Sequence, residues 1–398
     1  MTFKEKLDEV VKERRESLLN KSTAGSLVIT YITHYVPLEI LAASGSEYLS
    51  WEWLVHLYGV PDEYAESQVP DLYFPKDFCA YSRFNFALQL KEPKPQIDRF
   101  YLVYTCDPVT KMSEYLDRVY PIHYVNLPRW KSDNSMKLWY NEIHKIKQSL
   151  QDLTGSEIGA EKLKNAILTE KRIKKKLIDL CMMRTKLDFP LKSSDLHMLL
   201  QLHYLMDQES YEQLLDKTLA YIADNPLESP AGNGLPIVLL LGAPFVEEPP
   251  GVLGDTFCGQ DIVEFVESFN VKVIEEPWRE IISNSMPEPS KYDGDLIEML
   301  ANHYYECPLG AYMIPNTDRR VKENLELALL FKAKYALYFN YKGCRVFLAE
   351  SKASEEALRE RGISFQHIQI SGEKSEMEQL RTRIESFLYT MNRQPRSK

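Results

Sequence analysis

Six cysteines stand in this chain of 398 residues, and two occupy settings that ordinary packing does not require. Cys79 lies in Pro75-Lys76-Asp77-Phe78-Cys79-Ala80-Tyr81-Ser82-Arg83, just before a predicted helix. Cys106 follows the apolar run Phe100-Tyr101-Leu102-Val103-Tyr104 and precedes Asp107-Pro108. A β-branched and aromatic run that ends at a turn signal reads as a buried strand, and ligands of open α/β sheets gather beyond the carboxyl ends of strands. Cys106 therefore stands where a site would form. On spacing alone the commoner reading is two buried thiols acting as small hydrophobes. No CxxC and no zinc-type ligand pair occurs in the chain.

The elements that must position these thiols follow from periodicity. Residues 3 to 20 carry Leu7, Val10, Val11, Arg14 and Leu18 in helical register, which predicts a packing or interface helix. Leu27 to Ile32 reads as a strand. His34-Tyr35-Val36 then opens a helix with Pro37 at its first position and Glu39 in its first turn. Proline costs nothing there, and an acid complements the positive end of the helix, so Glu39 reads as a capping residue rather than a catalyst. Residues 135 to 230 read as mostly helical, with Thr154-Gly155-Ser156-Glu157 as a capping box. Leu163, Ala166, Ile167, Ile173, Leu177 and Cys181 share one face there, and Lys171, Arg172, Lys174, Lys175 and Lys176 occupy another. Such a basic face is usually solvated, although it could meet the phosphates of coenzyme A. Cys181 on the apolar stripe reads as inert packing.

A Pro- and Gly-rich stretch from Asn225 to Pro236 precedes a second α/β unit. The strand Ile237 to Leu241, a helix from about Asp261 and the strand Val271 to Ile274 make a β-α-β crossover. Farther on, the strand Tyr335 to Asn340 ends in Lys342-Gly343-Cys344-Arg345, so Cys344 again stands just past a strand. The division expected is an N-terminal α/β domain over 1–150 with Cys79 and Cys106, a helical segment over 151–230, and a C-terminal α/β domain over 231–398 with Cys344.

Composition narrows the function. A hydrophobic share of 44% with 27% charged residues is that of a globular protein, and the net charge of −10 argues against a nucleic-acid partner. The longest apolar run, Leu235 to Val246, is broken by Gly242 and Pro244 and is far shorter than the roughly 20 residues of a membrane span. The charged start Met1 to Glu9 lacks a signal-peptide core, which predicts a cytoplasmic protein and no membrane. Six cysteines without paired spacing suit a reducing compartment and metal or catalytic use. No G-x-x-x-x-G-K-[ST] phosphate loop occurs, so any ATP hydrolysis must lie in a partner.

Several phrases together resemble the 2-hydroxyacyl-CoA dehydratase and benzoyl-CoA reductase family, in the form of its substrate-handling subunit. They are Lys76-Asp77-Phe78-Cys79-Ala80-Tyr81-Ser82-Arg83, Tyr104-Thr105-Cys106-Asp107, Tyr120-Pro121-Ile122, and Asn126-Leu127-Pro128. To these are added Pro37, Glu39, Ile40, Ala43 and Gly45, the phrase Gly343-Cys344-Arg345, and the run Gln379-Leu380-Arg381-Thr382-Arg383-Ile384-Glu385. The resemblance spans about residues 25 to 392.

The resemblance implies two Rossmann-like or flavodoxin-like parallel-sheet domains facing a cluster cleft. Cys79, Cys106 and Cys344 would hold a [4Fe-4S] cluster, three thiolates leaving one iron open. The catalytic residues would be Glu52, between Trp51 and Trp53, and His34, which with Thr33 stands where the family usually has a hydroxyl. Desolvation between two tryptophans would favour the neutral carboxyl, as proton handling often needs, while the plain alternative for Glu52 is a solvent-facing side chain. The implied reaction removes water from an (R)-2-hydroxyacyl-CoA through a ketyl radical. Its implied partners are an acyl-CoA thioester, a homologous second subunit in a heterodimer, and an ATP-hydrolysing iron–sulfur activator, under anaerobic conditions. Left open beside this are a benzoyl-CoA-type reductase, a double-cluster reductase using all six cysteines, and a non-catalytic electron-relay subunit. No role follows for Cys258 or Cys307.

Overall fold

The computed structural model describes residues 2–23, 27–31, 35–58, 74–90, 96–185, 189–226, 235–242, 259–283, 285–307, 310, 312–371 and 374–393. Two four-stranded, all-parallel sheets organise them. The first consists of β1 (Val28–Tyr31), β2 (Glu47–Ser50), β3 (Arg99–Val103) and β4 (Ile122–Val125) in the order β2-β1-β3-β4. The second consists of β5 (Ile237–Gly242), β6 (Lys272–Glu275), β7 (Tyr335–Tyr341) and β8 (Ser364–Ile370) in the order β6-β5-β7-β8. The two orders are the same. Parallel neighbours need helical crossovers, and these cover the sheets. The central strands β1 and β7 are accordingly buried along their whole length and read as apolar runs.

In each sheet the chain leaves the first strand in one direction and returns beyond it to the third, so a crevice opens past the carboxyl ends of β1 and β3 and of β5 and β7. Cys106 and Cys344 lie past β3 and β7. Four helices, Asp133–Thr154, Ala160–Met183, Ser193–Leu202 and Gln208–Asp224, run between the sheets in sequence. One apolar cluster joins Trp51 and Leu102 of the first lobe, Leu177 and Leu199 of the helical part, and Leu239 and Ala336 of the second. The α/β class is therefore as the sequence implied.

Several local expectations need correction. Thr154 to Glu157 does not open a helix: Gly155, at φ +63°, takes the left-handed conformation that ends one. The capping box of this region lies instead at Ser132, whose side chain accepts from the Ser135 amide at 3.2 Å. Pro37 is the residue before the helix Leu38–Ser44 rather than its first member. The N-terminal helix Phe3–Thr23 is tied down by Arg14, which donates to Leu205 O at 3.0 Å and to Glu47 Oε2 at 2.8 Å. No described helix is long and apolar enough to cross a membrane.

Candidate active site

Cys79, Cys106 and Cys344 each stand immediately before a helix, Ala80–Gln89, Asp107–Leu116 and Arg345–Glu360 respectively. Leading amides of those helices face the sulfurs: Ser82 and Tyr81 act on Cys79, Val109 on Cys106 and Phe347 on Cys344, each favouring a thiolate. A helix N-terminus carries partial positive charge, so three of them directed at three thiols form an electropositive seat.

The three thiols lie near enough to one another to act on each other's charge. Cys79 and Cys344 share a hydrogen bond across the lobes. Cys344 keeps the proton, which lifts its thiol well above the usual range, with burial adding to the effect. The same bond draws Cys79 down to about 7 against the opposing pull of burial. Burial raises Cys106 to about 11, and the nearby Cys79 charge adds to it.

The close approach depends on backbone detail. Gly343 has φ +82°, and a Cβ there would lie 2.8 Å from Cys79 Cα, Cys79 N and Phe78 O. Only glycine fits. Beside it the Ala80 amide donates to Lys342 O at 2.9 Å, so the loop after β7 caps the helix that follows Cys79. Among the described residues, no three His, Cys, Asp or Glu side chains converge tightly enough to hold a single metal ion. A cluster asks for something else, because its thiolates attach to different irons and need not meet at a point.

Glu52 lies in the first turn of the helix Trp51–Tyr58, directly after β2. It is 2% exposed between the fully buried Trp51 and Trp53, which excludes the solvent-facing alternative. Tyr81, two residues past Cys79, donates to its Oε1 at 2.8 Å. Tyr81 in turn lies against Tyr341 of β7, with ring centroids 5.8 Å apart. The carboxyl is thus tied to the helix that follows Cys79. His34, Thr33 and Cys258 lie outside the described residues.

The remaining described cysteines stand elsewhere. Cys181 is buried near Arg184 and Glu275, and Cys307 near Glu280 and Arg279; burial holds both thiols up at about 12. The basic face is largely neutralised by the chain's own acids. Lys171 pairs with Glu288, Arg172 with Glu212 at 2.8 Å, and Lys176 with Glu212 at 3.0 Å and Asp216 at 2.7 Å.

Two features were missed in the sequence. Glu39 is wholly buried, with Oε2 accepting from Tyr304 of the other lobe at 3.0 Å and Oε1 without a hydrogen-bond partner. Burial, then the charge of Glu170, push its carboxyl up to about 7. Its signal was an acid amid Leu38, Ile40 and Leu41, where a solvated cap would not be. Nearby, a cavity of about 80 Å³ opens between Tyr31, Glu170, Lys174, His203, His303 and Tyr304, close to the carboxyl end of β1. In Glu170 burial is outweighed by His203, Lys174 and Gln208, which hold it at about 2. Nothing in the periodicity of three distant segments reveals that they meet.

Comparison with known proteins bears on this geometry. The family model for the D-component of 2-hydroxyglutaryl-CoA dehydratase matches residues 33–391. YjiM of Escherichia coli (strain K12), provisionally named a dehydratase subunit, is 24% identical over 371 residues, which cover 91% of this chain and 90% of that protein. One of the subunits of benzoyl-CoA reductase from Thauera aromatica is 22% identical over 227 residues, 56% of either chain.

Proposed function

We propose that this chain, which belongs to the 2-hydroxyglutaryl-CoA dehydratase D-component family, is an iron–sulfur subunit that takes part in removing water from a 2-hydroxyacyl-CoA. Cys79, Cys106 and Cys344 would hold the cluster, and Glu52 would move the proton. One observation carries the reading: the loop after β7 lies directly on Cys79, joining thiols of two lobes in one seat of helix N-termini.

The residues suit an anionic iron–sulfur group. Three amide-facing thiols bring negative charge to a place where helix ends already favour it. The most easily ionised of the three, Cys79, lies in the middle of the contact. When bound, such a cluster would supply a one-electron donor and, with only three protein ligands, an open iron. The chain's own residues supply the rest. Buried Trp51 and Trp53 keep water from Glu52, and Tyr81 fixes one of its oxygens. Such a carboxyl can take the proton that elimination releases or give one to the departing hydroxide.

The electron would come from an ATP-hydrolysing iron–sulfur partner, since this chain has no phosphate loop. A homologous second subunit makes up the rest of the proposed assembly, and the partition 1–150, 151–230 and 231–398 is kept as a proposal about lobes rather than independent domains. The likeness to a benzoyl-CoA reductase favours a second reading, reduction of an acyl-CoA, on the same cluster. Anaerobic turnover with the partners separates the two. Loss of water from a 2-hydroxyacyl-CoA supports the first reading, and a reduced thioester without loss of water supports the second. A chain that binds no iron when purified anaerobically would overturn both.

A further inference from the structure

The loop that carries Cys344 is held from two sides. From the first lobe it is fixed by the Ala80 amide and by the contact of Gly343 with Cys79. On its own side it is fixed by Asn340, a wholly buried residue near the end of β7.

Asn340 Nδ2 donates to Tyr341 O at 3.0 Å and, more weakly, to Cys344 O at 3.4 Å. Its Oδ1 faces His367 Nε2 of the neighbouring strand β8. An amide can be turned over, and its orientation is decided by its partners. With Nδ2 at two carbonyls, Oδ1 must be the acceptor, so His367 Nε2 carries the hydrogen. Every other residue of β7 is aromatic, alanine or leucine, which makes a buried amide in this strand unfavourable unless its polar atoms are paired. Here they are, and one of the partners is Cys344 itself.

We infer that Asn340, oriented by His367, is the positioning residue for Cys344, setting the loop 341–344 so that its thiol meets Cys79 of the first lobe. The chemical meaning of this brace rests on the cluster reading above, while the brace itself is a property of the protein.

Three variants of the full chain test it: Asn340→Leu, His367→Phe and His367→Gln, the last of which keeps a hydrogen-bond donor. In the anaerobically purified protein the rate of iron extraction by a ferrous chelator is measured. Alongside it, hydrogen exchange of amides 343–347 is followed in the metal-free chain. Loss of the brace should speed both by about tenfold in Asn340→Leu, in line with a missing buried hydrogen bond, and by less in His367→Phe. His367→Gln should return both to within about twofold of the parent. A merely structural role would instead lower thermal stability and raise exchange throughout the second sheet, without rescue by glutamine.

If Asn340→Leu does not fold, the two His367 variants decide between these outcomes. Unchanged extraction and exchange in folded Asn340→Leu, or in His367→Phe, would overturn the inference. If the parent chain held no iron the cluster reading would fall, and faster local exchange with glutamine rescue would still support the brace.

Discussion

The two lobes share one strand order and both place a cysteine at the start of the helix after their third strand, yet they are fastened differently. In the first lobe the loop before Cys106 is braced by a charge: Arg129, from beyond β4, donates to Thr105 O. In the second the loop before Cys344 is braced by a neutral amide from within β7. The second lobe also holds a buried network in which Glu276 and Glu350 both bind Arg320, at 2.7 and 3.0 Å, and Glu323 binds Arg279 at 2.9 Å. Burial disfavours the Arg320 charge, but the two acids outweigh it and raise its pKa. The first lobe instead holds two buried carboxyls, Glu52 and Glu39, each met by a tyrosine hydroxyl. The duplicated frame repeats the placement of a thiol, whereas the groups suited to proton transfer belong to one lobe and the fixed ion network to the other.

The comparison breaks most completely at the thiols. Replacing Cys79, Cys106 and Cys344 together by Ser should take anaerobic iron from about four per chain to none, because both lobes lose their share of the seat. Iron and acid-labile sulfide analysis checks this, and four irons retained in the triple variant would remove the cysteines from the ligand set. Next in size is Glu52→Gln. The amide can still accept from Tyr81, so iron content and melting temperature should hold. Turnover with the partners present should fall about 10² to 10⁴-fold, the range for a general acid–base. Full turnover would return Glu52 to packing.

How much of this was legible in the sequence depends on the range of the interaction. Cys106 and Cys344 were readable because each follows a strand whose composition announces it, and a strand end is a local feature. Glu52 stood out by its two tryptophans, but its burial and its tie to Tyr81 come from the helix Ala80–Gln89 lying against it, which no local pattern contains. Glu39 shows the same limit. The dipole rule accounts for an acid in a first turn, but here Tyr304, 265 residues away, occupies the carboxyl. Asn340 passed unnoticed inside an aromatic strand, although a lone amide among buried aromatics was itself the clue. The basic run showed its charge in sequence and hid the acids that neutralise it.

A smaller perturbation sharpens the interlobe contact. Gly343→Ala adds a single carbon that would stand 2.8 Å from the Cys79 backbone at a positive φ. Backbone cannot yield as a flexible side chain does, so the two lobes must separate locally, at a cost of about 3 kcal/mol. The Cys79–Cys344 bond should lengthen, and Cys79, losing its largest stabilising partner, should titrate higher than about 7. Alkylation rate against pH in the metal-free chain measures this. An unshifted profile with parental stability would mean that the loop is not tightly seated.

The smallest expected effect distinguishes the carboxyls by pH. Glu39 is raised to about 7 by burial first and Glu170 second, with Lys174 and Tyr304 acting against them, whereas Glu170 itself is held at about 2. Between about pH 4.5 and 7 the folded chain keeps a proton on Glu39 that the unfolded chain has already released. Its contribution is therefore fully present below about 4.5 and is lost as pH rises toward 7. Glu170 has the opposite sign: its contribution is present above the ordinary carboxylate range and disappears only as pH falls toward 2. Of these two carboxyls only Glu39 changes state from pH 5 to 7, at about 2 kcal/mol over the window. Glu39→Gln removes the titration and keeps an acceptor for Tyr304. Denaturant unfolding at pH 5, 6 and 7 should show the parent losing stability relative to this variant as pH rises. A constant difference across the three pH values would mean that Glu39 is ionised in the folded chain throughout. The first lobe would then hold a fixed charge like those of the second, and the contrast between the lobes would reduce to Glu52 alone.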